Sequence, residues 1–460
     1  MEKILQVFTG AFCDKDFYSK MLKLSLPVMA QNLIVSLLNM VDTIMVGNLG
    51  ETEIAAVGTA NQYFFFFHMF LIGLSAGCSV FIAQYWGKGD LKNIKRILGI
   101  GLISAITISL LFMFIGFINP ELVIALFTNE KAVIELGAGY LKIVLFSYVF
   151  TVITFVYSFS LRSIGNATLP MFISGVALVF NVFFNYVFIF GNFGAPALGV
   201  EGAALATLIS RVLETAVLLA CIYGEKGILA ASLKEMLDIT YPYVKNAYRT
   251  IAPVIFNDLC WGLASLVYVA VYGRMGTQAL AVIQICNTVS NLFMVVTFGL
   301  SNAAAVMIGN SIGSGEEGLS KVYAQRFSLI GVVVGIGLGM MLAVASPFIL
   351  QMFNVSSTVR SSSQIILYMI SLIFFIRVLA IMLIVGILRG GGDARQAFLI
   401  EGFTMWFIGV PLTLVGAFVF HFPVHVVYAL ALMEEVVKCF LSLRRLKSGK
   451  WINNLTEEMV

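Results

Sequence analysis

Residues 27–89 recur at 253–315. Set against each other at a constant spacing of 226, Pro27 on Pro253, the stretches align without a gap. Gly47 falls on Gly273, Gly50 on Gly276, Ala55 on Ala281 and Asn61 on Asn287. Gly73-Leu74-Ser75 then falls on Gly299-Leu300-Ser301, Val80 on Val306, Gly87 on Gly313 and Gly89 on Gly315. Further along, Leu161-Arg162 with Gly165-Asn166-Ala167 recurs as Leu388-Arg389 with Gly392-Asp393-Ala394, the spacing now being 227 because one residue has slipped into a loop. The shared glycines stand at the ends of apolar runs, where helices stop or backbones approach closely. A duplication of this length confines the chain to two copies of one architecture, as in transporters built from homologous bundles.

Composition sets the solvent. Only 11% of residues are charged and 60% are hydrophobic, against roughly 25% charged in a soluble domain, so the chain cannot cover a water-facing surface. The apolar runs predict an all-α polytopic membrane protein with 12 transmembrane helices, at 24–47, 54–82, 94–118, 138–161, 169–190, 198–222, 250–272, 278–310, 324–346, 364–388, 397–420 and 423–443. Each is long enough to cross about 30 Å of hydrocarbon at about 1.5 Å per residue. The expected domains are an N-terminal surface segment, 1–23, with amphipathic character, a six-helix lobe, 24–222, a polar linker, 223–249, a second lobe, 250–443, and a tail, 444–460. The scattered cysteines read as free thiols.

Lysine and arginine give the orientation. With the N-terminus inside, Lys88, Lys92, Lys95, Arg96, Arg162, Lys226, Lys234, Lys245, Arg249, Lys321, Arg326, Arg389, Arg395 and the basic tail are all cytoplasmic. Lys131, Lys142, Arg274 and Arg360 alone fall outside, so both termini are expected in the cytoplasm. The net charge of +4 is therefore a topology signal and implies no nucleic acid. Six spans in each half give the two lobes one orientation. No Walker motif is present: the glycines at 390–392 lack the Gly-Lys-Ser/Thr of a phosphate loop. The chain is therefore expected to be no enzyme, to need no cofactor and to draw energy from an ion gradient.

Such coupling needs ionisable groups at depth, where an acid costs about 2.5–3.5 kcal/mol on insertion scales. Asp42 extends a helix face of Asn32, Ser36, Asn39 and Thr43. It reads as an ion site or as an interfacial cap near Gly47. Asp258 begins a second face with Trp261, Ser265, Tyr268 and Tyr272, suited to a proton or sodium ion beside an aromatic wall for a cationic ligand. The alternative is a core stripe. Asn181 and Asn185, and likewise Gln284, Asn287 and Asn291, form amide faces that either bind ions or join helices. Arg211 and Glu214 are expected to pair, Arg377 lacks a local partner, and Glu401, Glu434, Glu435 and Lys438 read as interfacial. The aromatic run 63–67 and His68 would point all round a helix, mostly at lipid.

The run Met40-Val41-Asp42-Thr43-Ile44-Met45-Val46-Gly47-Asn48-Leu49-Gly50, followed by Ile54-Ala55-Ala56-Val57-Gly58, resembles the first-span signature of multidrug and toxic-compound extrusion (MATE) transporters. So do the stretches 84–89, 161–167 and 199–207, and the resemblance covers nearly the whole chain. It implies two six-helix lobes around a central cleft and export of organic cations or amphiphiles against protons or sodium from a plasma membrane, that of a bacterial inner membrane, by a monomer. On this similarity Asp42 matches the family's first-span carboxylate, Pro27 its helix-bending proline and Asp258 a position where many members carry glutamate. Asn181, Asn185 and Thr207 resemble an ion-holding set, with a possible sodium site at Asp42, Asn181 and Asn185. Where some members carry an acid in the tenth span, this chain has Arg377. The alternative function is a lipid-linked oligosaccharide flippase of a related two-lobed fold, which would favour an arginine-rich cleft, for which Arg211 and Arg377 are the candidates.

Overall fold

The computed structural model describes residues 14–353 and 355–457, so most of the expected N-terminal surface segment lies outside the described residues. The rest is helical. In chain order the helices are α1 Lys15–Gly47, α2 Glu51–Lys88, α3 Leu91–Ile118, α4 Pro120–Ala125, α5 Lys131–Val144, α6 Ser147–Ser163, α7 Thr168–Phe190 and α8 Val200–Gly224. A short linker helix, α9 Leu233–Met236, precedes α10 Tyr241–Arg274, α11 Thr277–Gly313, α12 Glu317–Gln351 and α13 Ser357–Ile381. Then come α14 Ala394–Thr404, α15 Val410–Phe418 and α16 Val424–Lys447. Two wider, π-helical stretches interrupt this order: Met382–Leu388 extends α13, and Met405–Gly409 joins α14 to α15.

Among the described residues, ten helices are long and apolar enough to cross a membrane, taking α13 to Leu388 and α14–α15 as single spans. An eleventh is broken: α5 and α6 meet at 54° where one straight span was expected. Ser147 sits at that break, its hydroxyl donating to the Val144 carbonyl at 2.6 Å and so satisfying a group freed by the bend. The twelfth is α16, whose apolar surface is diluted by Glu434, Glu435 and Lys438. Stripes four residues apart remain bare, such as Leu110, Phe114 and Ile118 on α3 or Met340, Val344 and Phe348 on α12, as lipid-facing surface should.

The chain packs into two compact units. One is Pro27–Ile82 with Asp90–Ile251; the other gathers the segment ending at Leu26, Ala83–Gly89 and everything from Ala252 onward. In the first unit the linker docks on α3. Ser232 and Glu235 form a reciprocal cap that starts α9. Lys95 then pairs with Glu235 at 2.7 Å, and Arg96 with Asp238 at 2.7 Å. Of the aromatic run on α2, Tyr63 and Phe67 turn inward, and Phe64, Phe65 and Phe66 between them are half-buried. Tyr63 donates to the Phe112 carbonyl at 2.7 Å, and Phe67 stacks on Tyr148 with ring centroids 4.4 Å apart.

In the second unit Gly331, Gly335 and Gly339 form a row on α12 that lets the backbone of α13 lie against it near Phe375 and Ser371. The ends of α2 and α11 approach still more closely. A Cβ on Gly87 would run into the Asn310 carbonyl, and a Cβ on Gly313 would run into the Gln84 carbonyl. The tail after α16 folds onto the turn at 390–392. Trp451 and Leu455 are buried, Arg445 reaches Asp393 at 2.6 Å, and the Asn453 N–H donates to the Gly391 carbonyl at 2.8 Å. Gln84 clamps the same tail segment, donating to the Asn453 carbonyl at 3.0 Å and accepting from the Leu455 N–H at 2.8 Å.

Candidate functional site

The first unit holds a carboxylate among amides. Asn181 and Asn185 stand one turn apart on α7, and Asn185 reaches α1: its Nδ2 donates to Asp42 Oδ1 at 2.5 Å and, within α7, to Asn181 Oδ1 at 3.0 Å. Asn185 is fully buried, yet its own Oδ1 meets no donor among the described residues. An unsatisfied buried acceptor is costly, by about 1–3 kcal/mol, and beside a carboxylate it is the arrangement a proton or cation would complete. Thr207 on α8 donates to the Ala203 carbonyl at 3.0 Å, and Tyr140 of α5 lies beside it. Asn39, by contrast, lies exposed on α1, and Pro27 begins the part of that helix belonging to this unit.

Beneath Asp42 runs a buried polar chain. Arg162 donates to Gln31 at 2.6 Å, Gln31 to Ser174 at 2.9 Å, and Ser174 to Glu214 at 3.3 Å, while Arg211 holds Glu214 at 2.6 Å. Two arginines thus stand against Asp42 and Glu214, and the charges balance.

The second unit repeats this scaffold with different chemistry. Asp258 of α10 pairs with Arg389 at 2.5 Å, leaving its Oδ2 without a donor. Its neighbour Asn257 donates to Glu401 of α14 at 2.7 Å. Lys438 of α16 sits among three carboxylates: Glu434 at 3.1 Å, Glu435 at 3.7 Å and Glu401 at 3.9 Å. Arg377 reaches Glu435 at 3.8 Å, and Tyr268 donates to Glu434 at 2.5 Å. Tyr268 and Glu434 crowd Gly409 in the π-helical stretch so closely that any side chain there would collide with both.

This overturns the interfacial reading of Glu401, Glu434, Glu435 and Lys438: their side chains are 5–13% exposed and bound to one another. The duplication carried the missed signal. At the spacing of 227, Ser174 falls on Glu401, Thr207 on Glu434 and Arg211 on Lys438, so a polar frame of the first half becomes a charged one in the second. Arg377, without a local partner, faces a carboxylate from a distant stretch, Glu435. Of the remaining candidates, Trp261 and Gln284 are exposed and Asn287 is half-buried, and neither amide makes a side-chain hydrogen bond among the described residues.

Twelve spans among the described residues, in two homologous six-helix halves that each hold a buried polar cluster, define a multi-span membrane protein of the duplicated kind seen in transporters. The MatE family model matches residues 27–187 and 253–415, one match in each repeat, and the chain belongs to that family. It is 27% identical over 455 residues to the probable multidrug resistance protein NorM of Thermotoga maritima, covering 96% of this chain and 95% of that one. To its counterpart in Agrobacterium fabrum it is 25% identical over 410 residues, 86% of each chain. Its fold superimposes with a TM-score of 0.86 on a crystal structure described as MATE in the bent conformation, at 18% identity, covering 95% of this chain and 96% of that one. The same score is reached with a mutant of the Vibrio cholerae MATE transporter VcmN, at 17% identity, covering 96% and 98%.

Proposed function

We propose that the chain is a secondary active exporter that exchanges organic cations or amphiphilic drugs for protons or sodium ions, with Asp42 as the group on which ion and cargo alternate. The observation that carries the reading is the unpartnered Oδ1 of buried Asn185 beside the Asp42 carboxylate. Asn181 fixes that amide, and Thr207 and Tyr140 supply further oxygens on neighbouring helices. The relatives named for multidrug resistance support the cargo class.

In this mechanism the ionised Asp42 holds a cationic substrate taken from the cytoplasmic side. An incoming proton or sodium ion neutralises the carboxylate, completes the coordination of Asn185 and removes the attraction that held the cargo. One charge moving inward through 100 mV supplies about 2.3 kcal/mol, enough for a substrate ratio of about fiftyfold. Asp258 joins the exchange only by leaving Arg389, since a paired carboxylate has little attraction to spare. The lysine and arginine distribution supports cytoplasmic termini, and the bacterial relatives support an inner-membrane location. A lipid-linked oligosaccharide flippase would need free arginines for phosphate, and Arg211 and Arg377 are each engaged by a glutamate.

The test is dye export from proteoliposomes with the pH and sodium gradients imposed separately. Asp42→Asn should lose gradient-driven export while remaining folded in the membrane. Export by Asp42→Asn at the parental rate would remove the carboxylate from the mechanism.

A further inference from the structure

At one end of the first unit the helices leave an open cavity of about 530 Å³, lined by Leu91 and Lys95 of α3, Tyr223 of α8 and Lys226, Gly227 and Ile228 of the linker. Tyr223 stands about 24 Å along α8 from Thr207, so the cavity is remote from the Asp42 cluster. The helix ends that frame it lie on the side where the lysine and arginine distribution puts the cytoplasm.

The walls are fastened. Tyr157 donates to the Tyr223 hydroxyl at 3.0 Å, and Tyr223 donates to the Ala231 carbonyl at 2.8 Å. Leu229 and Ala231 are buried, the Gly227 N–H reaches the Ile222 carbonyl at 3.0 Å, and Lys95 holds Glu235 at 2.7 Å. Within this fixed loop two groups serve no contact in the chain. Lys226 has a φ of 49°, in the left-handed region that a helix end normally gives to glycine because a Cβ crowds the backbone there. A lysine occupies that costly place and forms no ion pair among the described residues. The Ile228 N–H likewise meets no acceptor among them.

Nor do the charges on this face close. Lys92 and Arg96 share one acid, Asp238, at 3.2 and 2.7 Å, and Lys95 has Glu235. Lys226 and Lys234 add two bases, and Glu225 adds one acid, so five bases stand against three acids. Two ammonium groups, a free backbone N–H and an apolar rim of exposed Leu91 and half-buried Ile228 are suited to a phosphate that carries hydrocarbon.

We propose that this cavity binds an anionic phosphate ester, with Lys95 and Lys226 contacting the phosphate oxygens and the Ile228 N–H donating to one of them. Its level at the helix ends and its apolar rim favour an anionic phospholipid of the cytoplasmic leaflet over a soluble phosphate. The site is independent of Asp42 and stands whether or not Asp42 couples transport.

Thermal unfolding of the full chain in a non-ionic detergent tests this without reference to export. Dioctanoyl phosphatidylglycerol should raise the melting temperature saturably, by about 3 °C or more. Dioctanoyl phosphatidylcholine, whose ammonium the two lysines repel, should not. Lys226→Gly suits the left-handed turn, so without lipid it should melt at or above the parental temperature, and its half-saturating lipid concentration should rise about fivefold or more. Lys245→Gln, which removes an exposed lysine outside the cavity, should change neither value. If inorganic phosphate alone reproduces the shift and Lys226→Gly abolishes it, the site stands with a soluble phosphate as its ligand. A parental lipid response in Lys226→Gly overturns the proposal, as does an equal loss in Lys245→Gln, which would mark a general attraction of anions to the basic face. The absence of a shift with both phosphatidylglycerol and inorganic phosphate overturns it as well.

Discussion

Replacing Lys438 by methionine isolates the energetics of the second unit, because the two side chains are similar in length and methionine enters a membrane helix more easily. Were the cost of inserting α16 the dominant effect, the variant would be the more stable protein. The contacts argue otherwise. At an effective dielectric of about 20, carboxylates at 3.1, 3.7 and 3.9 Å attract the ammonium by about 5, 4.5 and 4 kcal/mol. Desolvation of the four groups offsets most of that sum, and deleting one partner of a buried ion cluster leaves a net loss of about 3–5 kcal/mol. For a unit of about 200 residues this lowers the apparent melting temperature by roughly 6 °C or more. Scans in one detergent at one rate would measure it. Glu434→Gln combined with Lys438→Met should recover part of the loss, since it removes an acid along with the base. A single variant within 1 °C of the parent, or a double variant no more stable than the single, would refute the claim that Lys438 holds the acids together.

Three further outcomes follow from the packing. Gly87→Ala should destabilise the protein by about 2 kcal/mol or more through overpacking against the Asn310 carbonyl, seen as lost monodisperse protein on size exclusion. Trp451→Ala, which empties a site where the ring is 2% exposed, should free the tail and speed proteolysis after Lys450 while leaving the melting of the helices within a few degrees. Glu235 lies outside the spans, and its bonds to Lys95 and Ser232 hold its carboxyl down at about 2. A group lowered in this way contributes its full stability above its ordinary value of 4.5 and loses it progressively as pH falls from there through about 2, so hydrogen exchange of 233–238, corrected for the intrinsic rate, should not change between pH 5 and 8.

Spans were legible because hydrocarbon thickness imposes a length and a composition on each of them, and ten helices carry that mark whatever their neighbours do. The break at Ser147 was hidden, since a bend satisfied by one hydroxyl leaves the apolar run uninterrupted. Asp42 stood out as a lone acid on an amide-rich face, and α7 completes it. The cluster around Lys438 was hidden for the opposite reason. Several charges within one turn of α16 resemble a solvated helix end, and only Glu401, Arg377 and Asp258 from distant stretches turn them into an interior group. Partners so far apart in sequence leave no local pattern, although the repeat marked their places.

Gly87 meets the helix of Asn310 just as Gly313 meets the helix of Gln84, and in the duplicated register each member of one pair is the counterpart of a member of the other. Reciprocal contacts of this kind are what two identical chains make across a twofold axis. Neither glycine can gain a side chain without displacing a backbone, because each is the space into which the other helix end fits.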